Sequence, residues 1–335
     1  MGLRPNRVNN CPCECIVSTM PVPIVSVIIT THARPHLVCR AVLSALAQSL
    51  QDIEVIVVLD GPDPATLTSL QSIKDERLRI CVRDARGGQA AAINSGVQLA
   101  QGAWTALLDD DDEWLPGKLM TQLRIAESSA FVSPVVGCHF LARSDNIDEL
   151  WPTRTPQREE CVCDYLFCRS QLAFGEGILP TSMLFAATEL FRLVPLDEKL
   201  PNHCDLDWLL RVDQRPEVGL EMPASRVPLA IWHLEGSDRV SKTGDWRFSR
   251  QWILQSRQLV SRRAYSGFLL TWASFSARSQ GDWGAVLPLL QEAFRYGRPG
   301  IMQLAVYAAV WCLPPGLRAR WSRSMAARAG APITT

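Results

Sequence analysis

Four consecutive carboxylates, Asp109-Asp110-Asp111-Asp112, with Glu113 behind them, interrupt an otherwise apolar stretch between Leu107-Leu108 and Trp114-Leu115-Pro116. Like charges this close repel one another unless a cation lies among them. An apolar pair that ends in carboxylates places them at the carboxyl end of a buried strand, where open α/β sheets hold their ligands. The pattern suggests a hard divalent ion held by oxygen and shared with a phosphorylated substrate. A solvated acidic turn is the alternative, but acidic runs of that kind lie in polar, low-complexity surroundings, and these flanks are apolar.

A second candidate carboxylate is Asp205, which opens a helical pattern running to Asp213. The helix dipole favours an acid in the first turn, so position alone leaves a structural and a proton-accepting role equally open. Thr30 to Arg34 and Asp60-Gly61 follow two other predicted strands, and each alone is an ordinary surface loop or turn.

The elements that must position these groups show as alternating patterns. Val25 to Thr30, Glu54 to Leu59, Arg79 to Val82 and Trp104 to Leu108 are short apolar or β-branched runs. Helical spacing separates them, at Leu37 to Leu46, Thr66 to Ile73 and Gln89 to Ala100. Strands and helices in this alternation imply parallel strands with right-handed crossovers. The loop after Thr30, Asp60 and the acidic run then converge on one sheet edge. Val135 to Phe140 is a further strand-like run, and from Asp245 to Arg328 the pattern is helical, suggesting a hairpin-like appendage.

The chain has 335 residues with 34 basic and 34 acidic side chains, enough for one α/β domain and a smaller appendage. A net charge of zero gives no global reason to expect nucleic acid and points to a small-molecule ligand. The expected divisions are an unpatterned, disordered extension over 1–22, an α/β domain over 23–240 and a helical region over 241–335. Met20, just before the first strand, is an alternative start to Met1.

Eleven scattered cysteines without a leader pattern suggest a reducing cytoplasm. Cys11, Cys13 and Cys15, and Cys161, Cys163 and Cys168, raise a zinc site, but zinc favours longer gaps with a matching second pair. Cys161, Cys163 and Cys168 are therefore expected to pack as small apolar residues. No apolar run reaches the roughly 18–20 residues needed to span a bilayer, since Ile301 to Leu313 stops at Pro314-Pro315. The basic, tryptophan-bearing segment Gly316 to Arg323 is either a solvated helix end or a contact with an anionic inner-membrane face.

Over Ile24 to His233 the chain resembles a family 2 glycosyltransferase of the GT-A fold. The resemblance rests on five blocks in order: Val27 to Pro35, Val57 to Asp63, Gly87-Gly88-Gln89 with Asn94-Ser95-Gly96, Leu108 to Leu119, and His203 to Trp208. It implies an α/β, doubly wound mixed sheet with a C-terminal helical appendage. It also implies metal-dependent, inverting transfer of a sugar from a UDP-, GDP- or dTDP-linked donor to a hydroxyl of a glycan, lipid-linked or protein acceptor. By resemblance Thr30, Arg34, Asp60 and Asn94 bind the donor, and Asp60 accepts from the base edge. Leu59 stands where many members carry an aspartate, so the donor base stays open.

The family's Asp-x-Asp falls on Asp109 and Asp111, which would hold Mg²⁺ or Mn²⁺, with His233 as a further ligand or a structural histidine. Asp110 would face the sugar or solvent, and Asp205 would be the catalytic base. Thr181-Ser182 resembles the segment beneath the acceptor. A catalytically inactive binding module of the same fold is the main competing reading. A nucleotidyltransferase is a lesser one, for lack of a basic glycine-rich loop.

Overall fold

The computed structural model describes residues 22–144, 147–172, 174–234 and 245–314, with the backbone of 333–334. Strand β1 (Val25–Thr31) is buried along nearly its whole length, as a strand flanked by parallel neighbours and covered on both faces must be. Helix α1 (Pro35–Leu46) begins with a proline, whose missing N–H costs nothing in a first turn. It buries Val38, Ala41, Val42 and Ala45, the three-and-four spacing of one helix face. Strand β2 (Ile53–Leu59), helix α2 (Pro64–Gln71), strand β3 (Leu78–Val82), helix α3 (Gln89–Leu99) and strand β4 (Trp104–Asp109) complete the expected alternation.

These four strands pair in parallel in the order β3-β2-β1-β4. The register sets Thr30 opposite Asp109 and Thr31 opposite Leu59, so the ends of β1, β2 and β4 meet at one edge.

The chain continues through β5 (Glu113–Trp114), α4 (Lys118–Ser128), β6 (Ser133–Val136), β7 (Phe140–Ser144), β8 (Ile147–Trp151) and α5 (Val162–Phe167). Then come β9 (Phe185–Ala187), α6 (Thr188–Leu193), α7 (Cys204–Val212), β10 (Val218–Glu221) and β11 (Ala230–His233). Antiparallel β9 sits between β4 and β6, and β10 closes that edge, giving a mixed sheet. The run expected as one strand from Val135 to Phe140 is two strands in different sheets. Gly137-Cys138-His139 carry the chain from one sheet to the other, a change that an unbroken apolar run does not announce.

The second sheet has the order β8-β7-β11-β5, and its β5 begins where the acidic run ends. Pairing of Ile231 with Glu113 is what carries His233 to the acidic run.

The C-terminal helices are α8 (Trp246–Gln255), α9 (Arg262–Phe268), a π-helical turn over Leu269–Ala273, α10 (Ser274–Ser279), α11 (Val286–Tyr296) and α12 (Ile301–Cys312). Helix α9 lies so close to α5 that a Cβ at Gly267 would stand 1.9 Å from the Phe167 carbonyl oxygen. Phe167 and Phe268 meet edge to face there at 5.1 Å. Among the described residues, no helix is long and apolar enough to cross a membrane. The basic segment 316–323 and the helical pattern expected beyond 314 lie outside the described residues, apart from the backbone of Ile333–Thr334, which pairs with β8 as β12.

Candidate active site

After β4 the chain turns, with Asp112 N donating to the Asp109 carbonyl at 3.2 Å, and each of the four carboxylates finds its own partners. Asp109 Oδ1 accepts from Gln89 Nε2 at 2.7 Å. Asp110 is buried and accepts from Thr31 Oγ1 at 2.7 Å and Arg34 Nη1 at 3.0 Å. The same Arg34 nitrogen lies 3.6 Å from Asp111 Oδ2, and Arg40 donates to the Asp111 carbonyl at 2.6 Å. Asp112 is fully buried, accepting from Ser182 Oγ at 2.5 Å and from His233 N at 3.2 Å.

One carboxylate oxygen from each of Asp109, Asp111 and Asp112 lies within 4.8 Å of the other two. Three such oxygens need only small rotations to reach a single Mg²⁺ at about 2.1 Å or a slightly larger Mn²⁺, so the donor set fits a hard divalent ion. His233 stands outside this trio: its Nε2 lies 2.7 Å from Glu113 Oε1, while its backbone N–H supports Asp112. Burial raises the Asp109 carboxyl well above the usual carboxylate range, and Asp112, Asp111, Asp205 and Asp110 push it the same way. A cation among them would reverse that penalty.

Asp205 occupies the first turn of α7. Its Oδ2 accepts from Thr181 Oγ1 at 3.1 Å and its Oδ1 from Leu206 N at 2.8 Å. Burial raises its pKa, with those hydrogen bonds opposing the rise. Gln89 ties the Asp109 carboxylate to the residue before Asp205, holding Asp109 through its amide nitrogen while the Cys204 thiol faces its oxygen at 3.9 Å. Asp207, two residues on, is committed to structure: it accepts from Arg211 Nε at 2.7 Å and Trp252 Nε1 at 3.3 Å.

The C-terminal helices hold the turn that presents Asp205. His203 has φ +65°, the left-handed region that costs most residues energy. Its ring lies 4.9 Å from Trp252 and 5.7 Å from Phe268, and its Nε2 lies 2.8 Å from Ser249 Oγ. Burial lowers its pKa to about 4, so the ring stays neutral.

Asp60 closes the adjoining corner. Its carboxylate accepts from Gly87 N at 2.9 Å, Gly88 N at 2.8 Å and Arg83 Nη1 at 2.5 Å, so the glycine loop wraps it. Gly88 has φ +89°, the backbone that lets both N–H groups turn inward. Thr30 lies across from Asp109 in the sheet. Asn94 sits apart from this cluster, its side chain bonded to Leu196 O at 2.9 Å, Leu196 N at 3.0 Å and Glu198 at 2.9 Å. The structure therefore brings Thr30, Arg34, Asp109, Asp110, Asp111 and Asp205 to one region with His233 at its rim, and leaves Asn94 to anchor the loop after α6.

Thr31, Gln89 and Asp112 join the cluster as partners that the sequence did not single out, and Thr181 and Ser182, expected beneath the acceptor, bond Asp205 and Asp112. Asp110, expected to face the sugar or solvent, is buried against Thr31 and Arg34, because the tight turn after β4 redirects it. Of the cysteines, Cys163 and Cys168 are buried as expected, while Cys161 Sγ lies 3.1 Å from Cys163 Sγ beside Asp164.

Residues 26–181 match the family model described as glycosyl transferase family 2. The succinoglycan biosynthesis protein ExoO of Rhizobium meliloti is 34% identical over 108 residues, covering 32% of this chain and 31% of that protein. The first curated relatives are spanned over 31% to 57% of their own length. The structure of S. aureus TarS 1-349 in complex with UDP-GlcNAc has TM-score 0.56 at 15% identity, over 90% of this chain and 92% of that one. The mannosyltransferase PcManGT of Pyrobaculum calidifontis, in complex with GDP-Man and Mn²⁺, has TM-score 0.53 at 16% identity, over 91% and 84%. At such identities these two likenesses speak to the fold, which is of the GT-A type.

Proposed function

We propose, from the match of residues 26–181 to the glycosyl transferase family 2 model, an inverting transferase that moves a sugar from a nucleoside diphosphate donor to an acceptor hydroxyl. The observation that carries this reading is Asp205, held by Thr181 and near enough to the Asp109 carboxylate for its charge to help raise that group's pKa. A proton acceptor and a cluster suited to a metal diphosphate thus share one crevice.

In this reading Asp205 takes the proton of the acceptor hydroxyl as its oxygen attacks the anomeric carbon, and the nucleoside diphosphate departs from the opposite face. Asp109, Asp111 and Asp112 would hold Mg²⁺ or Mn²⁺, which supplies charge neutralisation at the diphosphate oxygens. Gln89 fixes the Asp109 carboxylate, and Ser182 and the His233 N–H fix Asp112. Arg34, now against Asp110 and Asp111, would turn to a donor phosphate. Asp60 already has three donors on two oxygens. About one of a carboxylate's four lone-pair sites is left for a base N–H, so Asp60 contacts the base by one hydrogen bond at most.

A glycan or lipid-linked acceptor accords with the polysaccharide role named for the Rhizobium relative. The test is sugar transfer or donor hydrolysis with a panel of UDP-, GDP- and dTDP-sugars, on the parent chain and Asp205→Asn. The variant is expected to lose activity by about 10²–10⁴-fold with donor binding retained, and undiminished turnover would remove Asp205 from the role of base.

A further inference from the structure

Helix α12 has no charged residue in its twelve positions, Ile301–Cys312. A helix apolar on all sides is ordinarily covered on all sides. Among the described residues only one side is covered, by Gln303, Val306, Tyr307 and Val310 turned inward, while Ile301 is 88% exposed and Ala305 and Ala308 lie on the same outer face. Helix α11 forms a hairpin with it, since Tyr307 Oη donates to the Val286 carbonyl at 2.5 Å and the Trp283 and Trp311 rings lie 5.5 Å apart. The outer face of α11 is also apolar, with Leu287 65% and Phe294 57% exposed one above the other at a seven-residue spacing.

Charge is concentrated in the same part of the chain. Residues 241–335 hold thirteen Lys and Arg against three Asp and Glu, so the neutral whole divides into a basic C-terminal part and an acidic remainder. All three acids are already spent: Asp245 and Asp282 face Arg247, and Glu292 faces Arg250. Arg295 and Arg298 flank the exposed apolar face, and Arg278 lies over the exposed Trp283 ring at 4.7 Å. Such a charge asymmetry marks a contact with a polyanion or a membrane.

We propose that the outer face of the α11–α12 hairpin is a membrane-docking surface that lies in the plane of an anionic lipid leaflet. Leu287, Phe294 and Ile301 enter the headgroup boundary, and Arg295 and Arg298 meet lipid phosphates. A nucleic acid would satisfy the arginines but leave the three exposed apolar side chains in water, so lipid is the better match. At about 1.5 Å per residue α12 is too short to cross the bilayer, consistent with an in-plane seat. This surface stands apart from the crevice, and the proposal does not depend on the transfer reaction.

The full chain is sedimented with vesicles of phosphatidylcholine alone and of equal parts phosphatidylcholine and phosphatidylglycerol. Binding is expected to the anionic vesicles only, weakening as salt is raised. Leu287→Ser/Phe294→Ser/Ile301→Ser and, separately, Arg295→Glu/Arg298→Glu should each weaken it at least tenfold with thermal stability unchanged, all five positions being exposed. Absence of binding by the parent chain would overturn the proposal, as would full retention by both variants. So would a concentration-dependent dimer that the triple variant abolishes, or capture by a polynucleotide with no vesicle binding.

Discussion

Thr181 donates its hydroxyl to Asp205 at 3.1 Å, and the next residue, Ser182, donates to Asp112 at 2.5 Å. Two adjacent hydroxyls thus hold the carboxylate on α7 and the most buried member of the acidic run. The segment before β9 is the piece that fixes one group relative to the other.

The Thr181 contact sets a pH prediction. Burial raises the Asp205 pKa and the Thr181 hydrogen bond lowers it. A base must be ionised to work, so activity falls as pH drops through that pKa, and the acid limb is displaced upward from an ordinary aspartate's. Thr181→Val removes a hydrogen bond to the charged form, which moves the limb to higher pH. The pH profile of kcat/KM checks this, and an unmoved or lowered limb would count against Asp205 as the titrating base.

His203 is a positioning residue in this account. Its left-handed backbone and its seat against Trp252, Phe268 and Ser249 set where α7 begins. His203→Asn, which tolerates that backbone, should retain more activity than His203→Val, a β-branched residue that does not. The loss is expected in kcat, with KM for the donor little changed. Equal losses in both variants, or a loss confined to KM, would contradict it.

Lys118 offers a stability test remote from the chemistry. It is fully buried, its ammonium bonded to Gln122 Oε1 at 2.6 Å and 4.0 Å from the Trp114 ring centre, and burial lowers its pKa from 10.5 to about 8. Between about pH 8 and 10.5 the unfolded lysine keeps a proton that the folded one has lost, so stability rises with pH across that window, by roughly 3 kcal/mol in all. Below pH 8 this group adds no slope. Lys118→Met should abolish its part of the rise and add about 1–2 kcal/mol at neutral pH, after the cost of the donor lost from Gln122. Urea unfolding at a series of pH values measures both effects.

The parallel half of the sheet was legible in the sequence because each strand is a short apolar run, with helical spacing or a turn signal between runs. Val25–Thr31 and Trp104–Asp109 came within one residue of expectation for that reason. The sheet change at Gly137 was not legible, since nothing in an apolar run tells which neighbour a strand takes. At the site, residue types flagged the carboxylates, but their directions depend on the turn at Asp110–Asp112, which gave Asp112 to the cluster and left His233 against Glu113. Asn94 shows the same limit: its motif was visible, but its partners on the loop at 196–198, a hundred residues away, were not.

The central claim is that Asp109, Asp111 and Asp112 bind a divalent ion together with a nucleoside diphosphate. The most direct test is the thermal stability of the chain with UDP, GDP and dTDP, each with and without Mn²⁺, beside Asp111→Ala. A bound ligand raises stability by mass action, about 2.7 kcal/mol at one hundred times its Kd. The account predicts a rise with one nucleotide that requires Mn²⁺ and is lost in Asp111→Ala. No rise with any nucleotide, or a rise indifferent to both the metal and the substitution, would contradict it.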